Sequence, residues 1–550
     1  MMKVNNRLAV IDKKLCAPDR CGHECAANCP VNKLRQECVV VEEIVRIDEN
    51  LCTGCGICVK KCPFHAITII KNAAPDPEKL VYSYGANSFK LYGLALPRKG
   101  VTAMIGENGC GKSTNAKLLS GALTPQNLPT AELREYYKQE HGIAFKPQEL
   151  HAGVKGKVNE LLEKIDDGQL NELKKLFDLD KVWNREFKHL SGGELQKVVV
   201  AATLMQDEQA FVLDEPFAFL DYVYRIRLIN YLKEKFSNKN VLLIDHDISL
   251  LSYVSENAYL LYGVNGAFGS VSQSYATDRA INMFLEGFIA PENVKFRSQP
   301  IKYKSYNEEK LGDELYVLQP ARVKFESFTV ENKHSLTLHQ GEIVGVAGPN
   351  GIGKTTLIKE YCSQDPDNLI LKPQILERGD FLAAKYMRTD SPFTQIFVED
   401  MGLKQLEYYK LNDLSGGELQ KIRVFECLSS EKHNVYVLDE PTNMLDVKAR
   451  ISLSKMLREK AKEGKAVLVV DHDLEFLLNT VDRLIVMDGE PAERGEVKGI
   501  YHKDEGVRLL LKKFDLTYRR DPPTKRLKLN KAGSQKDAAL KKSGEFVETR

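Results

Sequence analysis

Two eight-residue stretches, Gly106-Glu-Asn-Gly-Cys-Gly111-Lys112-Ser113 and Gly348-Pro-Asn-Gly-Ile-Gly353-Lys354-Thr355, match the pattern G-x-x-x-x-G-K-[ST]. Each follows a short apolar run (VTAMI, EIVGVA) and precedes a helix-like one (TNAKLLSGAL, TLIKEYC), which predicts strand, loop and helix in both places. Glycines let backbone N–H groups wrap phosphates, the lysine reaches the β- and γ-phosphates, and the hydroxyl of Ser113 or Thr355 ligates Mg²⁺. A single match can arise in any glycine-rich loop; two in context call for two ATP-binding domains. The candidate phosphate contacts are Gly106, Asn108, Gly109, Gly111, Lys112, Ser113 and Thr114 in one copy and Gly348, Asn350, Gly351, Gly353, Lys354, Thr355 and Thr356 in the other.

The repeat extends well past these loops. Lys146-Pro-Gln148 returns as Lys372-Pro-Gln374, 226 positions on, and Leu190-Ser-Gly-Gly-Glu-Leu-Gln196 returns as Leu414-Ser-Gly-Gly-Glu-Leu-Gln420, 224 on. Val-Leu-Asp214-Glu215-Pro and Val-Leu-Asp439-Glu440-Pro are 225 apart, and Asp245-His246-Asp247 returns as Asp471-His472-Asp473 at 226. The phosphate loops alone are 242 apart, so the first copy carries 16 extra residues between its loop and Gln148, within PQNLPTAELREYYKQEH. Its polar composition with leading proline predicts a short exposed helix, or simply a tolerated surface loop.

These motifs resemble those of ATP-binding-cassette ATPases over roughly residues 80–515, most specifically in Leu-Ser-Gly-Gly-Glu-Leu-Gln. The resemblance implies two nucleotide domains facing head to tail, with ATP between the phosphate loop of one and the signature of the other. Lys112 would share a site with Ser415, Gly416, Gly417 and Glu418, and Lys354 with Ser191, Gly192, Gly193 and Glu194. Asp214 and Asp439 would hold Mg²⁺, with Gln148 and Gln374 on the metal and attacking water. Glu215 and Glu440 would be general bases, and His246 and His472 would sense the γ-phosphate. Tyr84 and Phe89 are candidates to stack the adenine, or else core residues of a strand; in the second copy Phe325 and Phe328 are the aromatics available, and neither is assigned. The loop after the glutamate reads Phe217-Ala-Phe-Leu-Asp221 in one copy and Thr442-Asn-Met-Leu-Asp446 in the other, so the two sites are expected to be inequivalent.

Nine of twelve cysteines lie in the first 62 residues. Cys52-x2-Cys55-x2-Cys58-x3-Cys62-Pro63 has the spacing of a ferredoxin [4Fe–4S] run, and Cys16-x4-Cys21-x3-Cys25-x3-Cys29-Pro30 is a loosened version. In two-cluster folds the fourth cysteine of a run ligates the other cluster. That predicts one cluster on Cys52, Cys55, Cys58 and Cys29, and a second on Cys16, Cys21, Cys25 and Cys62. Cys38 is then spare, a small buried hydrophobe, while Cys110, Cys362 and Cys427 read as packing residues of the cassettes. Structural zinc is the competing reading, although its ligands usually come as separated Cys-x2-Cys knuckles.

A length of 550 residues predicts three or four domains. The start MMKVNNRLAVIDKK has no apolar signal region and no stretch approaches about 18 apolar residues, so a soluble, cytoplasmic protein with no membrane partner is expected. The formal charge is only +2, which excludes a globally basic nucleic-acid coat. Residues 511–550 nevertheless hold 12 Lys/Arg against 5 Asp/Glu; this tail either contacts phosphates in a salt-dependent way or is a solvated terminus.

Clusters fused ahead of two cassettes resemble the ABC subfamily E family, also called the RNase L inhibitor family, from residue 7 to the end. Gly287-Phe-Ile-Ala-Pro-Glu-Asn-Val-Lys-Phe-Arg297 matches its first hinge, and Tyr518-Arg-Arg-Asp-Pro-Pro through Lys541-Lys-Ser-Gly544 its second. The fold class so implied is α/β, two tandem ABC-type P-loop domains preceded by an α+β two-[4Fe–4S] ferredoxin-like domain. The expected boundaries are 1–72 for the cluster domain, 73–288 and 320–515 for the cassettes, 289–319 for hinge 1 and 516–550 for hinge 2 with the basic tail. The resemblance further implies a monomeric ATP hydrolase that splits ribosomes with a release factor or Pelota-like factor in the A site. It would then remain on the small subunit, against rRNA and ribosomal proteins, where it can meet initiation factors. The family carries a helix–loop–helix where the 16-residue insertion stands, and here it is shorter.

Other classes fit less well. A transporter ATPase offers no reason for fused clusters. A Rad50/SMC-like ATPase needs a long heptad insertion, whereas loop-to-signature spacings are only 85 (Gly106 to Ser191) and 67 (Gly348 to Ser415) residues. An iron–sulfur redox protein driven by ATP is the most distinct alternative.

Overall fold

The computed structural model describes residues 7–71, 76–139, 142–148, 155–166, 168–303, 311–325, 328–387 and 397–548. Part of the expected first hinge, 304–310, lies outside them.

In the second cassette a single eight-stranded sheet runs in the order Ala321–Lys324, Thr329–Asn332, Arg494–His502, Arg483–Glu490, Ile343–Ala347, Ala466–Val470, Val435–Asp439, Leu369–Lys372. Its strands from Arg483–Glu490 to Leu369–Lys372 are parallel and flanked by helices, which is why VYVLD and AVLVV read as unbroken apolar runs. The first cassette repeats this order in two pieces. A five-stranded piece ends on the phosphate-loop strand Gly100–Gly106, and Asn240–Ile244, Ala210–Asp214 and Ile143–Lys146 form a parallel trio. Functional residues sit at the C-terminal ends of these strands, the usual place for ligands in parallel α/β sheets.

The insertion is neither a loose loop nor a freely exposed helix. It forms the helix Ala131–Lys138, capped by Thr130, with Leu133 buried and the Tyr137 hydroxyl donating to Leu118 O at 2.9 Å. Amphipathic spacing of Leu133, Tyr136 and Tyr137 packs it on the phosphate-loop helix Lys112–Leu119.

The C-terminal segment is likewise folded rather than a solvated tail. Tyr518–Arg520 pairs with Leu527–Leu529, and Tyr518, Leu527, Leu529, Phe546 and Val547 join the main core. Arg526 is fully buried and bonds Asp278 of the first cassette at 3.0 Å. Ser249 Oγ links Glu475 of the second cassette to Leu527 O, both at 2.7 Å, so this segment clamps the two cassettes together. Lys525, Lys531, Lys536 and Lys542 remain exposed.

In the N-terminal module Arg7–Ile11 pairs antiparallel with Ile67–Lys71, and Val39–Val41 with Val45–Ile47. The module docks on the first cassette through Asn87, 4% exposed, whose amide donates to Ala9 O and Ile47 O and accepts from Ile47 N. It also reaches the second cassette. Lys14 Nζ donates to Asp413 O at 2.7 Å, Tyr409 bonds Asp12, and His65 stacks on Tyr408 with centroids 4.3 Å apart.

Candidate functional site: two composite nucleotide sites and a thiol module

The phosphate loops take the shape their glycines permit. Gly111 (φ 97°) and Gly353 (φ 88°) precede the helices in left-handed conformation, and a Cβ at either would strike Phe89 or Phe328 within 2.7 Å. Lys112 Nζ donates to Gly106 O (2.8 Å) and Glu107 O (3.0 Å), and Lys354 Nζ to Gly348 O (2.9 Å) and Pro349 O (2.7 Å). Burial lowers Lys354 to about 8.

Each loop faces the opposite cassette. Asn108 N donates to Asp446 Oδ2 at 3.0 Å and its amide to Met444 O at 3.2 Å; Asn350 N donates to Asp221 Oδ2 at 3.0 Å and its amide to Phe219 O at 3.4 Å. A Cβ on Gly417 would lie 3.4 Å from the Asn108 amide, and one on Gly193 4.0 Å from that of Asn350. The pairing is therefore head to tail, Lys112 with the Ser415–Gly417 signature and Lys354 with Ser191–Gly193. Asp221 and Asp446 do double duty, each also capping the helix that follows it.

Ser191 and Ser415 cap the signature helices. Glu194 and Glu418, expected beside the nucleotide, instead turn back in capping boxes, accepting from the backbone N–H and Oγ of those serines. The S-x-x-E pattern was visible in the sequence and predicts this geometry.

At the strand ends Asp214 and Asp439 are buried. One oxygen of each, Oδ2 and Oδ1 respectively, has no hydrogen-bond partner among the described residues, and Thr355 Oγ1 donates to the other oxygen of Asp439 at 2.7 Å. Burial is the main reason both carboxyls are pushed up to about 6. An orphaned, desolvated carboxylate oxygen beside a loop hydroxyl fits a hard cation such as Mg²⁺.

Glu215 and Glu440 both adopt left-handed backbone, φ 50° and 46°. His246 Nε2 lies 3.3 Å from Glu215 Oε1, and His472 Nε2 3.2 Å from Glu440 Oε1. Gln148 Nε2 donates to Glu215 Oε1 at 2.7 Å and to this group Ser113 is tied through Gln148 Oε1 at 3.2 Å. Burial raises the carboxyls, but the adjoining histidines together with nearby lysines (Lys112 and Lys146 for Glu215, Lys354 for Glu440) and, at Glu440, Gln374 outweigh it: Glu215 lies below the ordinary range and Glu440 at about 2. Both are ionised at neutral pH, suited to orient and polarise a water.

Two residue pairs escaped the sequence reading. Lys146, fully buried, donates to Asp214 O (2.8 Å) and Glu215 O (3.0 Å), and Lys372 donates to Asp439 O (2.8 Å). Gln196 and Gln420, last in each signature motif, donate to Glu215 O (3.0 Å) and Glu440 O (2.8 Å). They fix the strained peptide that aims each glutamate; the signal was their repetition in both copies.

Tyr84 is 43% exposed, its hydroxyl 3.3 Å from Thr114 Oγ1 at the head of the phosphate-loop helix, while Phe89 packs beneath Gly111. In the second cassette Phe328 occupies the corresponding place under Gly353, and Phe325, 55% exposed, stacks on it with centroids 6.4 Å apart.

The nine N-terminal thiols fall into two neighbourhoods. The electrostatic neighbours of Cys25 are Cys62, Cys21 and Cys16; those of Cys58 are Cys52, Cys55 and Cys29. Burial first, then these sulfurs, push both thiols up to about 11. Thiolates so crowded repel one another unless a cationic centre joins them, so the donor chemistry fits iron–sulfur ligation. Among the described residues no three Cys, His, Asp or Glu side chains converge on a single ion's position. Cys38 is buried as expected, but it lies beside Cys29 and Cys52 rather than apart from them.

The family described as "ABC transporter" matches residues 90–218 and 332–368, "4Fe-4S binding domain" matches 45–68, and "Possible Fer4-like domain in RNase L inhibitor, RLI" matches 7–37. "ABC transporter E family member 1" of Arabidopsis thaliana is 32% identical over 98% of this chain and 98% of its own length. The chain belongs to the ABC subfamily E family. An uncharacterized ABC transporter ATP-binding protein of Methanocaldococcus jannaschii is 35% identical over 98% of this chain and 97% of its own. Among solved structures, the chain in "Model of ribosome-bound archaeal Pelota and ABCE1" is 34% identical, with a TM-score of 0.91 over 99% of both chains. As an ABC subfamily E member the chain is an ATP hydrolase with tandem cassettes and an iron–sulfur-binding N-terminal module. Among the described residues no helix is long and apolar enough to cross a membrane.

Proposed function

We propose that this chain uses ATP to split ribosomes into subunits in the cytoplasm, acting as a monomer with a release factor or Pelota-like factor, and then holds the small subunit until hydrolysis reopens the cassettes. The observation that carries the reading is the head-to-tail closure of both composite sites with the thiol module touching both cassettes. A change in cassette separation cannot leave such a module undisturbed. The relative solved with Pelota on the ribosome, alike over nearly the whole chain, supports a ribosome and a Pelota-like factor as partners; contact with rRNA and ribosomal proteins of the small subunit is part of the proposal.

Lys112 and Lys354 would bind the β- and γ-phosphates from one side, with N–H groups at the signature helix starts, after Ser415 and Ser191, facing them from the other. Ser113, Gln148 and Asp214, and Thr355, Gln374 and Asp439, would hold Mg²⁺, which when bound neutralises charge on the β- and γ-phosphate oxygens. Glu215 and Glu440 orient the attacking water and draw its proton; His246 and His472 keep each carboxylate ionised and reach toward the γ-phosphate. Two [4Fe–4S] clusters would sit on Cys29, Cys52, Cys55 and Cys58 and on Cys16, Cys21, Cys25 and Cys62, giving the module rigidity as a lever. The exposed lysines of the C-terminal segment suit phosphate contacts on rRNA, and initiation factors would be met on the same subunit.

The direct test is co-sedimentation of the full-length holoprotein with small subunits in the presence of a non-hydrolysable ATP analogue. Binding with the analogue and release without it is expected; no association in either condition refutes the proposal.

Adenine recognition has its own test. Tyr84→Ala should weaken ATP at the Lys112 site by about five- to tenfold, and Phe325→Ala should do so at the Lys354 site, each reflecting the ~1 kcal/mol of one aromatic stack. Fluorescent-nucleotide titration reads both; an unchanged affinity assigns these rings to packing alone.

A further inference from the structure

The two phosphate loops differ at their second position: Glu107 stands in the first cassette where Pro349 stands in the second. A carboxylate in that place belongs to the loop that must receive the most negatively charged part of ATP. Its counter-ion comes from far along the chain. Arg297 donates from Nε to Glu107 Oε1 at 3.0 Å. The arginine side chain is only 10% exposed and its guanidinium is fixed along the other edge, where Nη1 donates to Leu285 O at 3.3 Å and Nη2 to Phe284 O. It also lies over the rings of Phe284 and Phe296, 5.1 and 5.3 Å from their centroids. Arg297 N donates to Gly287 O at 3.2 Å, so backbone and side chain are both anchored at the end of the helix Thr277–Glu286. In the second cassette the matching wall is apolar: Leu510 and Phe514 line the cavity beside Pro349, and among the described residues no arginine does.

Glu107 is tied into the site at its backbone too. Its carbonyl accepts from Lys112 Nζ at 3.0 Å, and the N–H of the next residue, Asn108, donates to Asp446 of the opposite cassette at 3.0 Å. Without its guanidinium the carboxylate would be free to turn into the loop, repel the β- and γ-phosphates and compete with them for Lys112. Bonded to a stacked arginine, it is neutralised where it stands and cannot turn. We propose that Arg297 is a positioning residue for ATP binding at the Lys112 site: it holds the Glu107 carboxylate off the incoming phosphates, so that affinity at this site depends on how residues 287–297 are seated while affinity at the Lys354 site does not. The inference rests on Lys112 and Lys354 being the phosphate-binding lysines of two separate sites. It gives the segment between the cassettes a direct hold on one nucleotide site through a single ion pair.

The test is titration of full-length holoprotein with a fluorescent ATP analogue in the absence of ribosomes, so it is independent of the splitting reaction. With Lys354→Ala silencing the second site, Arg297→Ala should raise the Kd at the Lys112 site about tenfold, and adding Glu107→Gln should bring it back to within about twofold of the Lys354→Ala parent. With Lys112→Ala silencing the first site, Arg297→Ala should leave the Kd at the Lys354 site unchanged. Packing lost around Phe284 and Phe296 would not be cured by Glu107→Gln, so the rescue isolates the charge. A second variant leaves Arg297 in place: Pro349→Glu puts a carboxylate where no arginine meets it and should weaken ATP at the Lys354 site by a similar factor. Unchanged affinity in Arg297→Ala, a defect that persists with Glu107→Gln, or parental affinity in Pro349→Glu overturns the proposal. Undiminished binding when both lysines are alanine would instead refute the phosphate-loop assignment on which it rests.

Discussion

Replacing Glu215 and Glu440 together by glutamine is expected to slow ATP hydrolysis by about 10²- to 10⁴-fold while leaving ATP bound and the cassettes closed. Glutamine keeps the size of the side chain and removes only the charge and the proton acceptor. The backbone at both positions is held independently: Glu215 N donates to Ile244 O at 2.8 Å and Glu440 N to Val470 O at 2.7 Å. Lys146, Lys372, Gln196 and Gln420 hold the carbonyls. The variant should therefore fold, bind nucleotide with near-normal affinity and accumulate on small subunits. Rapid-quench turnover and sucrose-gradient profiles measure the two halves of this expectation. Turnover within a factor of a few of the parent would remove Glu215 and Glu440 from the reaction.

The second large effect belongs to the thiol module. Cys55→Ser should reduce the iron and acid-labile sulfide content of anaerobically purified protein from about eight to about four atoms of each per chain, because it removes one ligand of one four-iron cluster. Cys55 is exposed, so the change creates no cavity in the module core. Nucleotide affinity should be unaffected, since both composite sites are built from cassette residues alone. Subunit splitting should be lost, because a module with one cluster missing no longer transmits cassette closure through Asn87, Lys14 and His65. Stoichiometric zinc without sulfide in the parent protein would refute the cluster assignment, and normal splitting by Cys55→Ser would refute the lever.

The repeat made the nucleotide sites legible because phosphate binding tolerates little variation: a glycine loop, a lysine and a hydroxyl must recur in order. The partner of each loop followed from the signature, and Asn108 and Asn350 bond Asp446 and Asp221 of the opposite cassette. What escaped was chemistry that depends on where a side chain folds. Glu194 and Glu418 look like ligands in a motif but satisfy helix N-termini. Lys146 and Lys372 recur in both copies without a role the pattern declares, and they are buried under the carbonyls they hold. Basic composition left residues 511–550 as either a phosphate-contacting tail or a solvated terminus, yet alternating Leu527 and Leu529 with Tyr518 supply an apolar face, and Arg526 is buried against Asp278. Phe325 and Phe328 could not be ranked from sequence, because only the structure shows which lies under Gly353 and which is exposed.

The central claim is that closure of two ATP sites drives ribosome splitting. Light scattering of intact ribosomes mixed with the holoprotein, ATP and an A-site release or Pelota-like factor tests it most directly. A fall in scattering to the level of free subunits, dependent on ATP and on the factor, is predicted. Scattering that stays at the level of intact ribosomes, while the same preparation hydrolyses ATP, would contradict it.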